Sequence, residues 1–247
     1  MPSKSPNYCF TLAYDGTRFE GWQRQSRSRT VQGELEAALQ KITGRKVKII
    51  GAGRTDSGVH AESQVAHAAV RTRLSPAVLQ RALNAVLPPD ILIRSIRTAP
   101  SAFHARYDAR SKHYRYTIWN HPLRPLFERD RAHHVPDRLN LRAMRRAARA
   151  LPGKRDFAAF GSPSRPRQST VRNLHRLSLR RQGPKILIDA EGNGFLYHMV
   201  RRIAGLLIQV GKGRWPPEAA GALLRGESER VAPTAPARGL CLVKVRY

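Results

Sequence analysis

Acidic side chains are scarce in this sequence. Its 247 residues include 17 Asp and Glu against 45 Lys and Arg, which gives a formal charge of +28. A protein with this charge attracts polyanions, and neutralised phosphates release counterions that drive association. We therefore expect a nucleic-acid partner. A genomic bias toward arginine is an alternative source of the cations, although it leaves the low acid count unexplained.

Cysteines and long apolar runs are rare as well. Cys9 and Cys241 are the only cysteines, too few for a zinc cluster or a disulfide framework. No run of about 18 uncharged apolar residues could cross a membrane, and the first residues lack the apolar core of a signal peptide. The 41% hydrophobic content still suffices for a packed core. The sequence predicts a cytoplasmic protein that has no membrane partner.

The first hundred residues alternate strands and helices in the order β-α-β-β-α-β. Apolar spacing predicts strands over 8–15, 47–50, 64–70 and 90–97, and helices over 31–42 and 76–87. Ser75 followed by Pro76 is a typical helix start, with a capping hydroxyl and a proline in the first turn. This half therefore predicts one complete α+β unit.

The second half repeats that order without visible sequence identity to the first. Strands are predicted over 113–119, 171–179, 186–190 and 240–247, and helices over 141–151 and 196–210. The pattern predicts an α+β fold of two ferredoxin-like halves with helices on one sheet face. We place the N-terminal half at 1–105 and the C-terminal half at 106–247, with a linker over 100–110. The basic loop 161–168 either wraps RNA or is a disordered surface insertion.

One carboxylate stands out, in the segment Gly51-Ala-Gly-Arg-Thr-Asp-Ser-Gly-Val-His60. Asp56 lies in a glycine-punctuated turn beside Arg54, in a positive field that favours the ionised form. The glycines do not fit a dinucleotide fingerprint, because a strand follows them, and a P-loop lysine is absent. Two interpretations remain open. Asp56 is either a catalytic group presented to a bulky substrate or a turn residue that caps its own backbone.

Two further positions are candidates for binding. Tyr114 and Tyr116 alternate along one predicted strand, so both rings share a sheet face, where they either stack on bases or pack in the core. Arg201 lies opposite the apolar stripe of the last predicted helix. The residues assigned to its face are Gly194, Tyr197, His198 and Gly205. The guanidinium either reaches a carboxylate across a cleft or is solvated on the helix surface.

Taken in order, these segments resemble the tRNA pseudouridine synthase A (TruA) family nearly from end to end. The segments that carry the resemblance are Tyr14-Asp-Gly-Thr-Arg-Phe-Glu-Gly-Trp-Gln-Arg-Gln25, Thr30-Val-Gln32, Gly51 to Ala61, Gln64-Val65, Asn84-Ala-Val-Leu-Pro88, Phe103-His-Ala-Arg106, Tyr114-Arg-Tyr116, Asp156-Phe157, Phe195-Leu-Tyr-His-Met-Val-Arg201 and Gly239-Leu240. Their shared order and spacing make coincidence improbable.

The resemblance implies a function and a set of site residues. The family converts uridine to pseudouridine in the anticodon stem-loop of tRNA, at positions 38 to 40, without metal or organic cofactor. By motif, Asp56 is the essential aspartate, Tyr114 contacts the target base, Arg201 pairs with the carboxylate and Arg54 helps to displace the flipped base. The family fold joins two ferredoxin-like halves in one mostly antiparallel sheet, and its members are homodimers.

The residues allow two other functions to be considered. A non-catalytic RNA-binding or chaperone protein would use the same basic surface and would tolerate changes at Asp56. A metal-dependent nuclease is disfavoured, because a two-metal site needs several carboxylates and only one stands in this motif. The pairs His60 with His67 and His133 with His134 also lack the acids or cysteines of a metal site. We expect no metal, and treat these histidines as structural or RNA-contacting.

Overall fold

The computed structural model describes residues 5–162 and 169–247. The chain forms two compact units, one made of Met1–Arg110 and Leu242–Tyr247 and the other of Ser111–Cys241. The break in mid-chain therefore falls at the end of the predicted linker. Of the predicted basic loop, residues 163–168 lie outside the described residues. Among the helices that are described, none is long and apolar enough to cross a membrane.

The first unit has the predicted β-α-β-β-α-β order. Its elements are β1 (Asn7–Tyr14), α1 (Val31–Thr43), β2 (Ile50–Gly51), β3 (His60–Ala69), α2 (Pro76–Val86) and β4 (Ile91–Ala99). Strand β1 pairs antiparallel with both β3 and β4, and β2 pairs antiparallel with β3. The resulting order β4-β1-β3-β2 is that of a ferredoxin-like sheet. The α+β class and the mostly antiparallel pairing are confirmed.

Local chemistry explains where the helices of this unit begin. The hydroxyl of Thr30 accepts a hydrogen bond from the amide of Gly33 at the start of α1, and that of Ser75 accepts from Val78 at the start of α2. These bonds satisfy amides that the first turn leaves unpaired. Helix α1 ends at Gly44, whose φ of 68° is left-handed and suits glycine.

The second unit contains the remaining elements. They are β5 (Ser111–Trp119), β6 (His133–His134), α3 (Leu141–Ala148), β7 (Gly153–Asp156), β8 (Val171–Gln182), β9 (Lys185–Gly192), α4 (Met199–Gly211) and α5 (Ala219–Leu224), together with the start of β10 (Leu240–Arg246), whose residues from Leu242 onward belong to the first unit. Strand β9 lies between β5 and β8 and is antiparallel to both, while β7 extends the sheet beside β8. Strands β8 and β9 form a hairpin that turns at Gly183, which has a φ of 58°.

Several elements differ between prediction and structure. The strand predicted over 47–50 is limited to Ile50 and Gly51, because side chains of α1 take the backbone groups of Ile49. Its amide donates to Glu36 and its carbonyl accepts from Gln32. Helix α2 ends at residue 86, and Val86 is exposed rather than buried. The sequence analysis did not predict β6, β7 or α5, which are short.

The last long helix also begins later than predicted, at Met199 instead of residue 196. His198 has a φ of 65°, the one positive value among the described non-glycine residues, and this conformation cannot continue a right-handed helix. Gly194, Tyr197 and His198 therefore do not share a helical face with Arg201, and that prediction is wrong. Gly205 is on the helix, packed against the carbonyl of Pro233 at a distance that leaves no room for a Cβ.

Candidate active site

In the first unit, the loop between β2 and β3 carries Arg54 and Asp56. The residue Arg54 is exposed and Asp56 is partly exposed, whereas Thr55 between them is 7% exposed. The amide of Val59 donates to the carbonyl of Asp56 at 3.2 Å, closing a turn at Gly58 with a φ of 76°. The buried Thr55 thus anchors the loop, and its two charged neighbours point away from that anchor.

The loop is held from β1 and β3 by side chains. The hydroxyl oxygens of Tyr14 and Thr55 lie 2.8 Å apart. The side-chain amide of Gln64 donates to the carbonyl of Gly53 at 2.9 Å and lies 3.5 Å from the Tyr14 hydroxyl. Gln64 and Tyr14 are 0% and 5% exposed. Buried, fully bonded polar groups fix a backbone more firmly than solvated ones, so these contacts set where Asp56 lies.

The chain segment that follows β1 covers the loop from another side. The amide of Trp22 donates to the carbonyl of Thr55 at 3.0 Å, and that of Gly58 donates to the carbonyl of Phe19 at 3.2 Å. Gly21 has a φ of 87°, and a Cβ there would lie 2.6 Å from the Thr55 carbonyl oxygen. Only glycine fits this approach. Segment 14–22 therefore packs against the Asp56 loop and restricts its position.

An ion pair that lies outside this segment packs against its Phe19. Arg29 donates two hydrogen bonds to the carboxylate of Asp90, at 2.8 and 2.9 Å, and stacks over the ring of Phe19 at 4.2 Å. Hydrogen bonds from Arg29 hold the pKa of Asp90 below its usual value. The bidentate geometry is the strong form of this pair. The paired Arg29 restricts the ring of Phe19, whose carbonyl accepts the hydrogen bond from the loop residue Gly58.

Tyr114 and Tyr116 lie in β5 in the second unit, and both are buried. Tyr114 is 7% exposed and meets the ring of Phe195 edge-on at 5.2 Å. Tyr116 is fully buried, donates to the carbonyl of Pro236 at 2.9 Å and has a pKa raised by its burial. Core packing therefore describes Tyr116. Tyr114 is buried beside it, and its contact with a base stays a prediction.

Arg201 lies in the first turn of α4 and is bound to the same segment as Tyr116. Its Nε donates to the carbonyl of Ala235 at 2.8 Å, and the amide of Ala235 donates back to the carbonyl of Arg201 at 3.1 Å. The first bond orients the guanidinium, and the second holds Ala235 against the backbone of α4. Arg201 is thus an oriented group, and the interpretation as an arginine solvated on a helix back is wrong.

The sequence analysis assigned no role to several residues that build these sites. Tyr14, Trp22 and Gln64 stand in the segments quoted for the resemblance, but their contacts with the loop are 41, 33 and 11 residues away along the chain. The sequence offers one signal for such a role, because Tyr14 lies near the end of an apolar strand, directly before Asp15-Gly16. The segment 233–236 gave no such signal. In the described part of the chain, no three His, Cys, Asp or Glu residues cluster as metal ligands.

Comparison with known proteins places these features in a family. A family model described as tRNA pseudouridine synthase matches residues 11–108 and 147–247. The chain belongs to this family. The matched ranges contain Arg54, Asp56 and Arg201, while Tyr114 lies between them. The protein is therefore an enzyme of the pseudouridine synthase class, an isomerase.

Relatives extend the match over nearly the whole chain. "tRNA pseudouridine synthase A" of Moorella thermoacetica is 45% identical over 241 residues, covering 96% of this chain and 98% of the relative. The protein of the same name from Brevibacillus brevis is 42% identical, covering 96% and 97%. That of Bordetella petrii is 41% identical over 245 residues, covering 98% and 91%. The family resemblance stated from the sequence is confirmed.

Proposed function

We propose that this pseudouridine synthase modifies uridines 38 to 40 in the anticodon stem-loop of tRNA, in the cytoplasm and without metal or organic cofactor, with Asp56 as the catalytic carboxylate. The observation that carries the proposal is the Asp56 loop. Buried bonds from Tyr14 and Gln64 fix its backbone, yet Arg54 and Asp56 remain accessible. A rigid loop with one accessible carboxylate suits a reaction that needs a positioned anionic group.

The reaction breaks the bond from ribose C1′ to uracil N1, turns the base and joins C5 to C1′. The C5 proton is lost and N1 gains one, so the overall change is an isomerisation. Two routes remain open for Asp56: its carboxylate attacks C1′, or it removes the 2′ hydrogen to give a glycal. In both routes the carboxylate of Asp56 must be ionised. We assign to Arg201 the role of stabilising this ionised form.

The target uridine lies in or beside a duplex stem, so it must leave the stack before C1′ is reached. Extrusion costs a few kcal/mol, which new contacts must offset. We assign Arg54 to the space that the base vacates, since it is exposed two residues before Asp56 on the same loop. Tyr114 is assigned to the extruded base. Because Tyr114 is 7% exposed, little of it can meet a base without a side-chain movement.

A direct test uses purified protein and an unmodified transcript of a tRNA that has uridine at positions 38, 39 and 40. Pseudouridine is detected by carbodiimide labelling, which stops reverse transcription at each modified site. We expect stops at these three positions alone. Stops elsewhere in the tRNA would contradict the assigned positions while leaving the reaction class intact.

We also propose that the enzyme is a homodimer. The support is a loop after β5 that exposes three large apolar side chains, Leu123 at 72%, Leu126 at 62% and Phe127 at 91%. Such patches on soluble proteins mark interaction sites more often than chance. Sedimentation velocity should give a dimer for the wild type and a shift toward monomer for Phe127→Ser. A wild-type monomer at micromolar concentration would contradict the proposal.

A further inference from the structure

The second unit contains a basic cleft that has no role in the site described above. It has a volume of about 1100 Å³ and lies between α3, the end of α4 and the segment 212–217. Its cationic lining residues are Arg142, Arg145, Arg146, Arg149, Lys212 and Arg214. No acidic residue of the described chain lines it. The cleft therefore combines a concave shape with a single sign of charge.

Close packing fixes the walls of this cleft relative to each other. The amide of Asn140 donates to the carbonyl of Gly211 at 2.8 Å. A Cβ at Gly211 would lie 2.8 Å from the sulfur of Met144, so α3 meets the end of α4 without a gap. Beyond that contact, Gly213 turns the chain with a φ of 72°. The cleft is a feature of the folded unit, since its walls do not depend on flexible contacts.

Acidic residues compensate little of the cleft charge. Glu218 pairs with Arg146 at 3.2 Å, and Asp137 pairs with Lys212 at 2.5 Å. Arg145 donates its Nε to the carbonyl of Leu179. Within the described residues, Arg142, Arg149 and Arg214 have no ion pair. Of the six cations, four keep their charge unpaired.

The spacing of the arginines works against helix stability. Arg142 and Arg149 each lie three or four positions from both Arg145 and Arg146, so like charges face each other along the helix and repel. The helix dipole favours cations in the last turn but opposes them in the first, where Arg142 lies. An anion held in the cleft would relieve this repulsion. A second copy of this chain, with its own +28 charge, is poorly suited to supply one.

We propose that this cleft binds the phosphodiester backbone of the tRNA substrate, an inference that rests on the proposed function. Guanidinium groups bind phosphate oxygens through paired hydrogen bonds, and several of them line this one cleft. Trp215 also lines the cleft, with the guanidinium of Arg230 at 5.4 Å from its ring. Aromatic and cationic groups side by side are typical of RNA-binding surfaces.

The test compares two variants that remove the same charge. The cleft variant is Arg142→Gln/Arg149→Gln/Arg214→Gln, and the control is Arg45→Gln/Arg71→Gln/Arg81→Gln, whose side chains are exposed outside the cleft. The dissociation constant for an unmodified tRNA transcript is measured by fluorescence anisotropy over a range of salt concentrations. Each lost phosphate contact should lower the slope of log K against log salt by roughly 0.7 to 0.9. For the cleft variant we expect this slope to fall in magnitude by about 2. For the control we expect little change in the slope.

The outcomes separate the proposals. If the cleft and control variants lose affinity and slope equally, overall charge drives binding and the cleft proposal is wrong. If the cleft variant instead loses self-association and keeps its affinity for tRNA, the cleft is a contact between chains, which also overturns it. The thermal unfolding of each variant shows whether it has folded, and Arg142→Gln alone provides a milder test, with a slope change of about 1. Anisotropy reports binding whether or not product forms, so a wild type that forms no pseudouridine would contradict the proposed function and leave this result standing.

Discussion

The hydroxyl oxygens of Tyr14 and Thr55 lie 2.8 Å apart in the interior of the first unit, one residue away from Asp56 along the chain. Tyr14 ends β1 and Thr55 lies in the loop before β3, so one hydrogen bond joins the sheet to the loop that carries the candidate catalytic group. Gln64 of β3 adds a second bond, to the carbonyl of Gly53. The loop is therefore positioned by the core of its unit rather than by its own turn alone.

Tyr14→Phe should impair catalysis more than binding. Loss of the hydroxyl leaves Thr55 without its buried partner and loosens the loop, and small misplacements of a reacting group are costly. We expect kcat for tRNA to fall by about one order of magnitude, with KM nearly unchanged. Tyr8→Phe, a buried tyrosine of the same strand, is the control. Equal kcat values for both variants would show that Tyr14 has no positioning role.

Arg54→Ala should slow modification more than it weakens tRNA binding. If Arg54 fills the gap left by the extruded base, its contact forms only when the base is out of the stack. Single-turnover rates and dissociation constants are measured for this variant and for Arg27→Ala, another exposed arginine. The same loss in rate and in affinity would instead assign Arg54 to general phosphate binding.

Stability should fall between pH 6.5 and 4 because of His133. Burial, with nearby cations, lowers its pKa from 6.5 to about 4. Below pH 6.5 the unfolded chain binds a proton that the folded chain rejects, so the free energy of unfolding decreases until pH reaches about 4. The size of this loss is about 1 to 3 kcal/mol. In His133→Gln the dependence should shrink, whereas His175→Gln, at an exposed position, should keep it. If the free energies of unfolding of wild type and His133→Gln differ by the same amount at every pH in this range, the assignment is contradicted.

Asp90→Asn should destabilise the first unit by about 2 kcal/mol at neutral pH, since it leaves Arg29 beside a neutral group. The pKa of Asp90 is lowered in the folded state, first of all by its hydrogen bonds from Arg29. The stabilisation is therefore complete above the pKa of the unfolded chain, near 3.8, and is lost as pH falls through the lower folded value. Urea denaturation at pH 7 and pH 3 measures the difference from wild type, with the exposed Asp130→Asn as control. A difference that does not narrow at pH 3 would rule out the ion pair as its source.

Local pattern predicted most of the elements, because their cause is local. The strands β1, β8, β9 and β10 and the helices α1 and α2 follow apolar periodicity and capping residues, and each was predicted to within a few residues of its bounds. Where side chains from another element bind the backbone groups of a predicted strand, the pattern predicted the wrong bounds. Ile49 bonds to side chains of α1 instead of a neighbouring strand. The left-handed backbone of His198 likewise has no signal in the residue type.

The candidate site divides in the same way. Arg54 and Asp56 were found from one short segment, because glycines and charges within ten residues define it. The contacts of Tyr14 and of Ala235 with site residues span 41 and 34 positions, and no local pattern encodes such distances. The roles of Asp56, Arg54, Tyr114 and Arg201 in the reaction stay predictions carried by the resemblance and by the geometry within each unit.

The most direct test of the central claim is the rate of pseudouridine formation by Asp56→Asn. This change keeps the size of the side chain and removes its charge, while Asp130→Asn makes the same change at an exposed position. Both are incubated with excess unmodified tRNA, and carbodiimide labelling measures the product at positions 38 to 40. We expect the Asp56 variant to lose at least about two orders of magnitude in rate with tRNA affinity retained, and the control to match wild type. Turnover by Asp56→Asn near the wild-type rate would contradict the catalytic role of this carboxylate.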